Sequence, residues 1–259
     1  MKVVILCGGR GTRLGQESTL RPKPMAEIGG RPILWHIMKY FAAAGHDQFV
    51  LCLGHLGEII KEYFLHYEAR QNDVTLQLGS DQPLIYHTRH QEQNWRISLV
   101  NTGRDANTGA RTRRIRPFVQ DDEIFLLTYG DGVSDVDLEA LLAFHRSHGK
   151  IATVTAVHPA ARFGELQIKD GQVHLFSEKP QTSAGLINGG FFVLDRRIFD
   201  YLPDDPDCAL EREPMARLAE DGQLMAFEHH GFWQCMDTVR ELNLLRTLWD
   251  SNRAPWRRW

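Results

Sequence analysis

The sequence predicts an α/β fold: a Rossmann-like, mostly parallel mixed sheet flanked by helices, with a small antiparallel insert. Three observations point there. Short β-branched apolar runs alternate with helical periodicity over the first 160 residues, which is the pattern of βαβ units. The opening run Val3 to Cys7 is apolar throughout, as a strand buried on both faces must be. From Phe163 the texture changes to FGELQIKDGQVHLFSEKP, where an Asp-Gly pair separates two alternating runs and signals a hairpin. Taken in order, Pro32 opens a helix through ILWHIMKYFAAAG that stops at Gly45. Phe49 to Leu53 reads as a strand, Gly57 to Tyr67 as an amphipathic helix, and Glu123 to Thr128 as another buried strand ending in YGDG. Asp137 to His148 is helical, Ile151 to Val157 and Ile187 to Leu194 are extended, and Glu211 to Glu220 is helical. Leu224 to Phe227 is again extended, and Thr238 to Trp249 forms a final amphipathic helix. No repeat or Pro/Gly/Ser-rich linker interrupts the 259 residues, so one domain over 1–259 is expected.

Composition narrows the function. Apolar residues make up 42% of the chain, yet no run approaches the roughly 18 apolar residues of a membrane span. The start MKVVILCGG is too short in its apolar part for a secretory leader, and Cys7, Cys52, Cys208 and Cys235 lack CxxC spacing. A cytoplasmic protein with reduced thiols and no membrane partner is expected. A formal net charge of −3 offers no global attraction to nucleic acid, so anion binding must come from a local cluster.

That cluster follows the first strand. In GGRGTRLGQESTLRPKPM, Gly8 to Met25, three early glycines free the backbone to curve and aim N–H groups at anions, and Arg10, Arg13, Arg21 and Lys23 supply positive potential. A P-loop would need GxxxxGK with Ser or Thr, and none occurs. A dinucleotide fold would need a glycine where Leu14 stands and an acid near the second strand's end, where Gly54 and His55 are found. Asp131 ends a buried strand between Gly130 and Gly132, the place where open α/β sheets collect ligands; helix capping or a turn would explain a lone aspartate equally well.

GGRGTRL with PKPM eight residues on resembles the signature of the sugar nucleotidylyltransferases, also called nucleotide-sugar pyrophosphorylases. The stretches PILWHIM, TYGDGV, RFGEL, EKP, INGGFFV and WQCMDT resemble, in order and spacing, the branch that transfers a cytidylyl group to glucose 1-phosphate. The likeness implies a fold of the nucleotide-diphospho-sugar transferase type, with about residues 1–160 binding nucleotide and about 161–259 forming the sugar-binding part and C-terminal helices. It implies Mg²⁺ as cofactor, a nucleoside triphosphate (CTP) and a sugar 1-phosphate (glucose 1-phosphate) as partners, and a homo-oligomer.

Residue by residue, the resemblance implies that Leu6, Cys7, Gly8, Gly9, Arg10, Gly11 and Thr12 line the nucleotide. Arg13 and Lys23 would hold the departing phosphates, with Arg111 and Gly130 completing the nucleotide contacts. Arg13, Lys23 and Asp131 form its catalytic set, and Asp131 and Asp237 its metal pair. Gly164, Glu178, Lys179 and Asn188 are its sugar-phosphate positions. Two positions depart from the pattern: Gly109-Ala110 stands where two glycines are usual, and Cys235 where proline is usual. Without the resemblance, RTRRIR reads as a solvated helix face, and Lys179 as an exposed hairpin lysine.

Other readings stay open. UTP or dTTP, or another sugar 1-phosphate, would use the same chemistry. A nucleotide-sugar-dependent glycosyltransferase would use a DxD pair, and Asp135 and Asp137 form DVD, although Asp137 suits a helix N-cap. A silent nucleotide-sugar-binding module would be expected to lack Lys23, Asp131 or Asp237, and all three are present.

Overall fold

The computed structural model describes residues 1–9, 21–79, 84–159 and 185–259, together with the paired strands 165–169 and 172–177. In chain order the strands are β1 (Lys2–Leu6), β2 (Glu27–Ile28), β3 (Arg31–Pro32), β4 (Gln48–Leu53), β5 (Val74–Thr75), β6 (Ile85–Tyr86), β7 (Arg96–Asn101), β8 (Ile124–Tyr129), β9 (Gly132–Ser134), β10 (Ala152–Val157), β11 (Glu165–Lys169), β12 (Gln172–Ser177), β13 (Ile187–Asp195), β14 (Leu224–His229) and β15 (Trp233–Cys235). The helices are α1 (Ile33–Ala43), α2 (Gly57–Leu65), α3 (Tyr67–Gln71), α4 (Thr108–Arg114), α5 (Arg116–Val119), α6 (Leu138–His148), α7 (Glu213–Glu220) and α8 (Val239–Asp250).

Seven strands form the main sheet in the order β14-β10-β13-β8-β1-β4-β7. Every pairing is parallel except those of β13, which runs antiparallel to β8 and to β10. The expected mixed, mostly parallel sheet is therefore present, and β11 pairs antiparallel with β12 as the insert. Strand alternation sorts the apolar runs into two cores. Val3 and Ile5 of β1 face the layer of α1, α6 and α8, while Val4 and Leu6 face the layer holding Val119, Phe199 and Leu218. That is why β1 reads as a continuous apolar run.

Helix boundaries follow local chemistry. Pro32 precedes α1 and Gly45 takes the left-handed conformation (φ +83°) after it. Asp137 caps α6 by accepting from Ala140 N at 3.0 Å, so the DVD pair is spent partly on a helix end. The expected helix Gly57 to Tyr67 breaks at His66 into α2 and α3. Among the elements without a clear sequence signal are the edge strand β7 and α4 within the arginine-rich segment.

The C-terminal tryptophans cover the chain's own core. Trp256 is fully buried, and His36 lies among Trp35, Trp249 and Trp256 with edge-on ring contacts at 5.1, 4.5 and 6.2 Å. His36 Nε2–H donates to Ile28 O at 2.8 Å and its Nδ1 accepts from Trp256 Nε1 at 3.4 Å, an arrangement that only the neutral ring satisfies. Burial accordingly lowers its pKa to about 4. Among the described residues, no helix is long and apolar enough to cross a membrane.

Candidate active site

The glycine turn after β1, the turn after β4 and the YGDG turn after β8 meet at one end of the sheet, since these three strands are adjacent and parallel. Gly130 seals the junction. Its N–H donates to Leu6 O at 3.0 Å, and a side chain there would meet Pro24 Cγ at 3.0 Å and Leu6 O at 3.1 Å.

Lys23 enters this junction from a 3₁₀ turn, Lys23–Met25, whose Pro24 and Met25 are buried and fix its base. Its ammonium donates to Asp131 Oδ2 at 2.5 Å and to Asp237 Oδ1 at 2.5 Å. The three side chains are only 12, 29 and 21% exposed, so water screens them weakly. Burial works to lower the lysine's pKa, but the Asp131 carboxylate and then Asp237 outweigh it and raise the pKa above its ordinary value.

Asp131 and Asp237 are brought together by backbone, not by their own charges. Antiparallel β9 and β15 pair Gly132 with Cys235, and Met236 N–H donates to Asp131 O at 2.8 Å. Asp237 then sits at the entrance of α8. Glu241 Oε2 accepts from the Asp237 and Thr238 N–H groups at 2.6 and 2.8 Å, and Thr238 Oγ1 accepts from Glu241 N at 3.4 Å. This capping box fixes the main chain that carries the carboxylate. Cys235 lies with its sulfur 3.9 Å from Asp237 Oδ2, and burial and that carboxylate push its thiol up to about 12. It stays protonated, so the departure from proline leaves a neutral neighbour beside Asp237.

Arg111 has a different setting. Asn107 caps α4 by accepting from Thr108 N at 3.0 Å, and the helix carries Arg111 inward until 2% of it is exposed. Its Nη1 donates to Leu53 O, Thr102 Oγ1 and Gly103 O at 3.0, 3.0 and 2.8 Å, and its Nη2 to Arg104 O at 3.3 Å. Side chains at Gly8 and Gly54 would stand 2.1 Å from Arg111 Cζ and 2.5 Å from its Nη1. The guanidinium thus lies beneath both turns, and the solvated helix face that RTRRIR suggests is corrected at this position. Cys7 is buried behind the same turn, and burial, then Cys52, holds its thiol well above the ordinary range. Among the described residues, nothing lies within 4 Å of a side chain placed at Gly9. Outside the turn, a cleft of about 380 Å³ is lined by Leu53, Gly54, His55, Leu56, Asn101 and Arg104, among others.

Asn188 lies at the same end, because antiparallel β13 sets its start against the end of β8. Its Nδ2 donates to Tyr129 Oη at 3.2 Å. Tyr129 in turn donates to Glu211 Oε1 at 2.5 Å, and Glu211 Oε2 accepts from Thr108 Oγ1 at 2.6 Å. Burial, then Glu211, raises the Tyr129 pKa, so its proton stays. Trp233 Nε1 donates to Gly189 O at 2.7 Å and ties this strand to the Asp237 loop.

Of the sites read from the sequence, the structure gathers Lys23, Asp131 and Asp237 through direct contacts, and sets Leu6, Cys7, Gly8, Gly9, Gly130, Arg111 and Asn188 at the same end of the sheet. Arg10, Gly11, Thr12, Arg13, Gly164, Glu178 and Lys179 lie outside the described residues. The reading of the sequence missed Tyr129, Glu211 and Glu241. The Thr-x-x-Glu pattern of Thr238 and Glu241 is a capping-box signal that marks the last of these, whereas nothing in the sequence distinguishes Glu211 from a surface acid.

Residues 2–240 match the model of the nucleotidyl transferase family. The chain is 49% identical over 259 residues, all of both chains, to the glucose-1-phosphate cytidylyltransferase of Salmonella typhimurium. It is 29% identical over 238 residues to the mannose-1-phosphate guanylyltransferase catalytic subunit beta of Dictyostelium discoideum, covering 90% of this chain and 60% of that one. Among solved structures, HddC from Yersinia pseudotuberculosis complexed with GMP-PN shares the fold with a TM-score of 0.69 at 20% identity, over 96% of this chain and 99% of that one.

Proposed function

We propose that this chain, which belongs to the nucleotidyl transferase family, joins CTP to α-D-glucose 1-phosphate and releases pyrophosphate, giving CDP-glucose. The observation that carries the reading beyond sequence likeness is the convergence of Lys23, Asp131 and Asp237 on one point. A phosphate oxygen of the sugar phosphate attacks the α-phosphorus of the nucleotide in line, and the bond to the β-phosphate breaks. Both reactants are anions, so the protein's task is to lower repulsion and align attacking and leaving oxygens. No protein nucleophile is needed.

The N–H groups of the Gly8 turn face the phosphates, and Arg13 and Lys23 hold the β and γ phosphates, where negative charge grows as the bond breaks. Arg111 acts from beneath, keeping the backbone of Gly8 and Gly54 in place. The cleft beside His55 and Asn101 takes the base. Asn188, with its amide directed by Tyr129, meets sugar hydroxyls, with Gly164, Glu178 and Lys179 completing that side by the family resemblance.

Asp131 and Asp237 would hold Mg²⁺. The donor set fits, since two carboxylates already face the Lys23 ammonium, and hard oxygen ligands suit this ion. When bound, Mg²⁺ supplies charge neutralisation at the phosphate oxygens.

Homo-oligomer formation belongs to the same reading. Leu65, Leu76, Leu78, Leu84, Ile85 and Tyr86 are exposed within one stretch of the chain, and sedimentation equilibrium tests whether copies associate.

The decisive assay is pyrophosphate release with CTP, UTP, dTTP, ATP or GTP, each with glucose 1-phosphate and Mg²⁺. CTP is expected to be preferred. Preference for another base would overturn the substrate assignment and leave the chemistry standing, while no release with any of the five would sink the activity itself.

A further inference from the structure

Lys23 stands where a divalent cation would be expected, with one ammonium nitrogen 2.5 Å from an oxygen of each carboxylate. Two carboxylates aimed at one point repel unless a cation lies between them, and here the chain's own lysine provides it. The scaffold holds the main chain of both acids side by side, through the β9/β15 ladder and the Glu241 cap, so the two carboxylates start from neighbouring anchors whichever cation lies between them. Lys23 is less constrained: its base is fixed by Pro24 and Met25, but a four-carbon stem separates that anchor from the charge.

We infer that Lys23 and the divalent cation occupy the Asp131–Asp237 pair by turns, so that cation binding releases the lysine toward the phosphates. This rests on the proposed reaction, which assigns the pair to Mg²⁺ and the lysine to the leaving group. The same lone pairs cannot serve an ammonium and a metal ion at once. While Lys23 is held by the acids it is unavailable to the nucleotide, and once displaced it is a free cation beside the Gly8 turn. Lys23 is thus a placeholder that keeps the acids compensated before the metal arrives, and the metal's arrival arms it for phosphate binding.

Two measurements without nucleotide or sugar test this. In the wild-type protein, acetic anhydride labelling read by peptide mapping should modify Lys23 slowly, and several-fold faster after Mg²⁺ alone is added. Lys39, paired with Glu92 at 2.7 Å away from the acid pair, serves as the internal control and should not respond. In K23M, Mn²⁺ binding followed by electron paramagnetic resonance should be at least about tenfold tighter than in wild type, because the Lys23 ammonium no longer has to be displaced. Unchanged Lys23 labelling with Mg²⁺, or equal or weaker Mn²⁺ binding by K23M, overturns the inference. If labelling and Mn²⁺ binding behave as expected but the wild type releases no pyrophosphate, the exchange stands and the catalytic reading falls. Normal catalysis with no exchange leaves the proposed reaction standing and removes the exchange.

Discussion

Lys23 and Arg111 are both cations carried deep into the same end of the sheet, and they are held by opposite kinds of partner. Lys23 faces two carboxylates, is supported at its base alone, and has a raised pKa. Among the described residues Arg111 meets no acid through hydrogen bonds; three carbonyls and a threonine hydroxyl take up its donors, and two glycines leave room for its planar group. Charged partners can be exchanged for another ion, whereas a cage of backbone carbonyls cannot be vacated without leaving polar groups orphaned. Under the proposed reaction, the contrast separates a working cation from a supporting one.

The largest expected effect comes from breaking the support. R111A leaves a side-chain-sized void and withdraws the donors from Gly103 O, Arg104 O and Thr102 Oγ1, while Leu53 O keeps the Thr102 N–H and hydroxyl, and should lower unfolding stability by about 3–5 kcal/mol. A urea titration that finds less than about 1 kcal/mol would mean that the cage is not structural. The working cation should behave conversely. K23A and D131N are expected to slow pyrophosphate release by roughly 10² or more, with urea midpoints shifted far less than in R111A. Turnover near wild type in both variants would refute their catalytic roles.

The two glycines of the turn sharpen the comparison further. A side chain at Gly8 would stand 2.1 Å from Arg111 Cζ, while one at Gly9 would meet nothing within 4 Å among the described residues. G8A should therefore cost about 1–3 kcal/mol, and G9A less than about 0.5 kcal/mol; equal costs would show that Arg111 yields easily. His36 supplies the third case, a basic group that the fold keeps neutral. Its folded pKa of about 4 lies below the ordinary 6.5, so between those values the unfolded chain binds the extra proton. Its contribution is complete above pH 6.5 and is lost as pH falls, by about 2 kcal/mol at pH 5. H36Q should flatten that part of the stability profile, and an unaltered slope would assign the pH dependence to other groups.

Much of the fold is legible in the sequence because the relevant signals are local. Strands buried on both faces read as unbroken apolar runs, Pro32 and Gly45 bracket α1, and the Asp-Gly pair marks the insert. Asp131 is visible as a strand-end aspartate between glycines, and the family resemblance pairs it with Asp237. What stays hidden is non-local. The antiparallel direction of β13 depends on how its neighbours pack, and β7, with an exposed start and half-buried residues after it, lacks the apolar run that betrays a central strand. Arg111 sits in an arginine-rich segment whose composition suggests solvent, and only the tertiary cage reveals its burial. Glu211 gains meaning solely from Tyr129 and Thr108, 82 and 103 residues away, partners that no spacing rule connects to it.

The stitching of Asp131 to Asp237 across β9 and β15 has a bearing on how the protein is made. During translation, β1, β4 and β8 emerge with the glycine turn and Lys23 long before the second carboxylate leaves the ribosome. A nascent chain that has not yet reached residue 237 therefore carries Lys23 and Asp131 without the second carboxylate, and the acid pair forms only once β15 can close on β9.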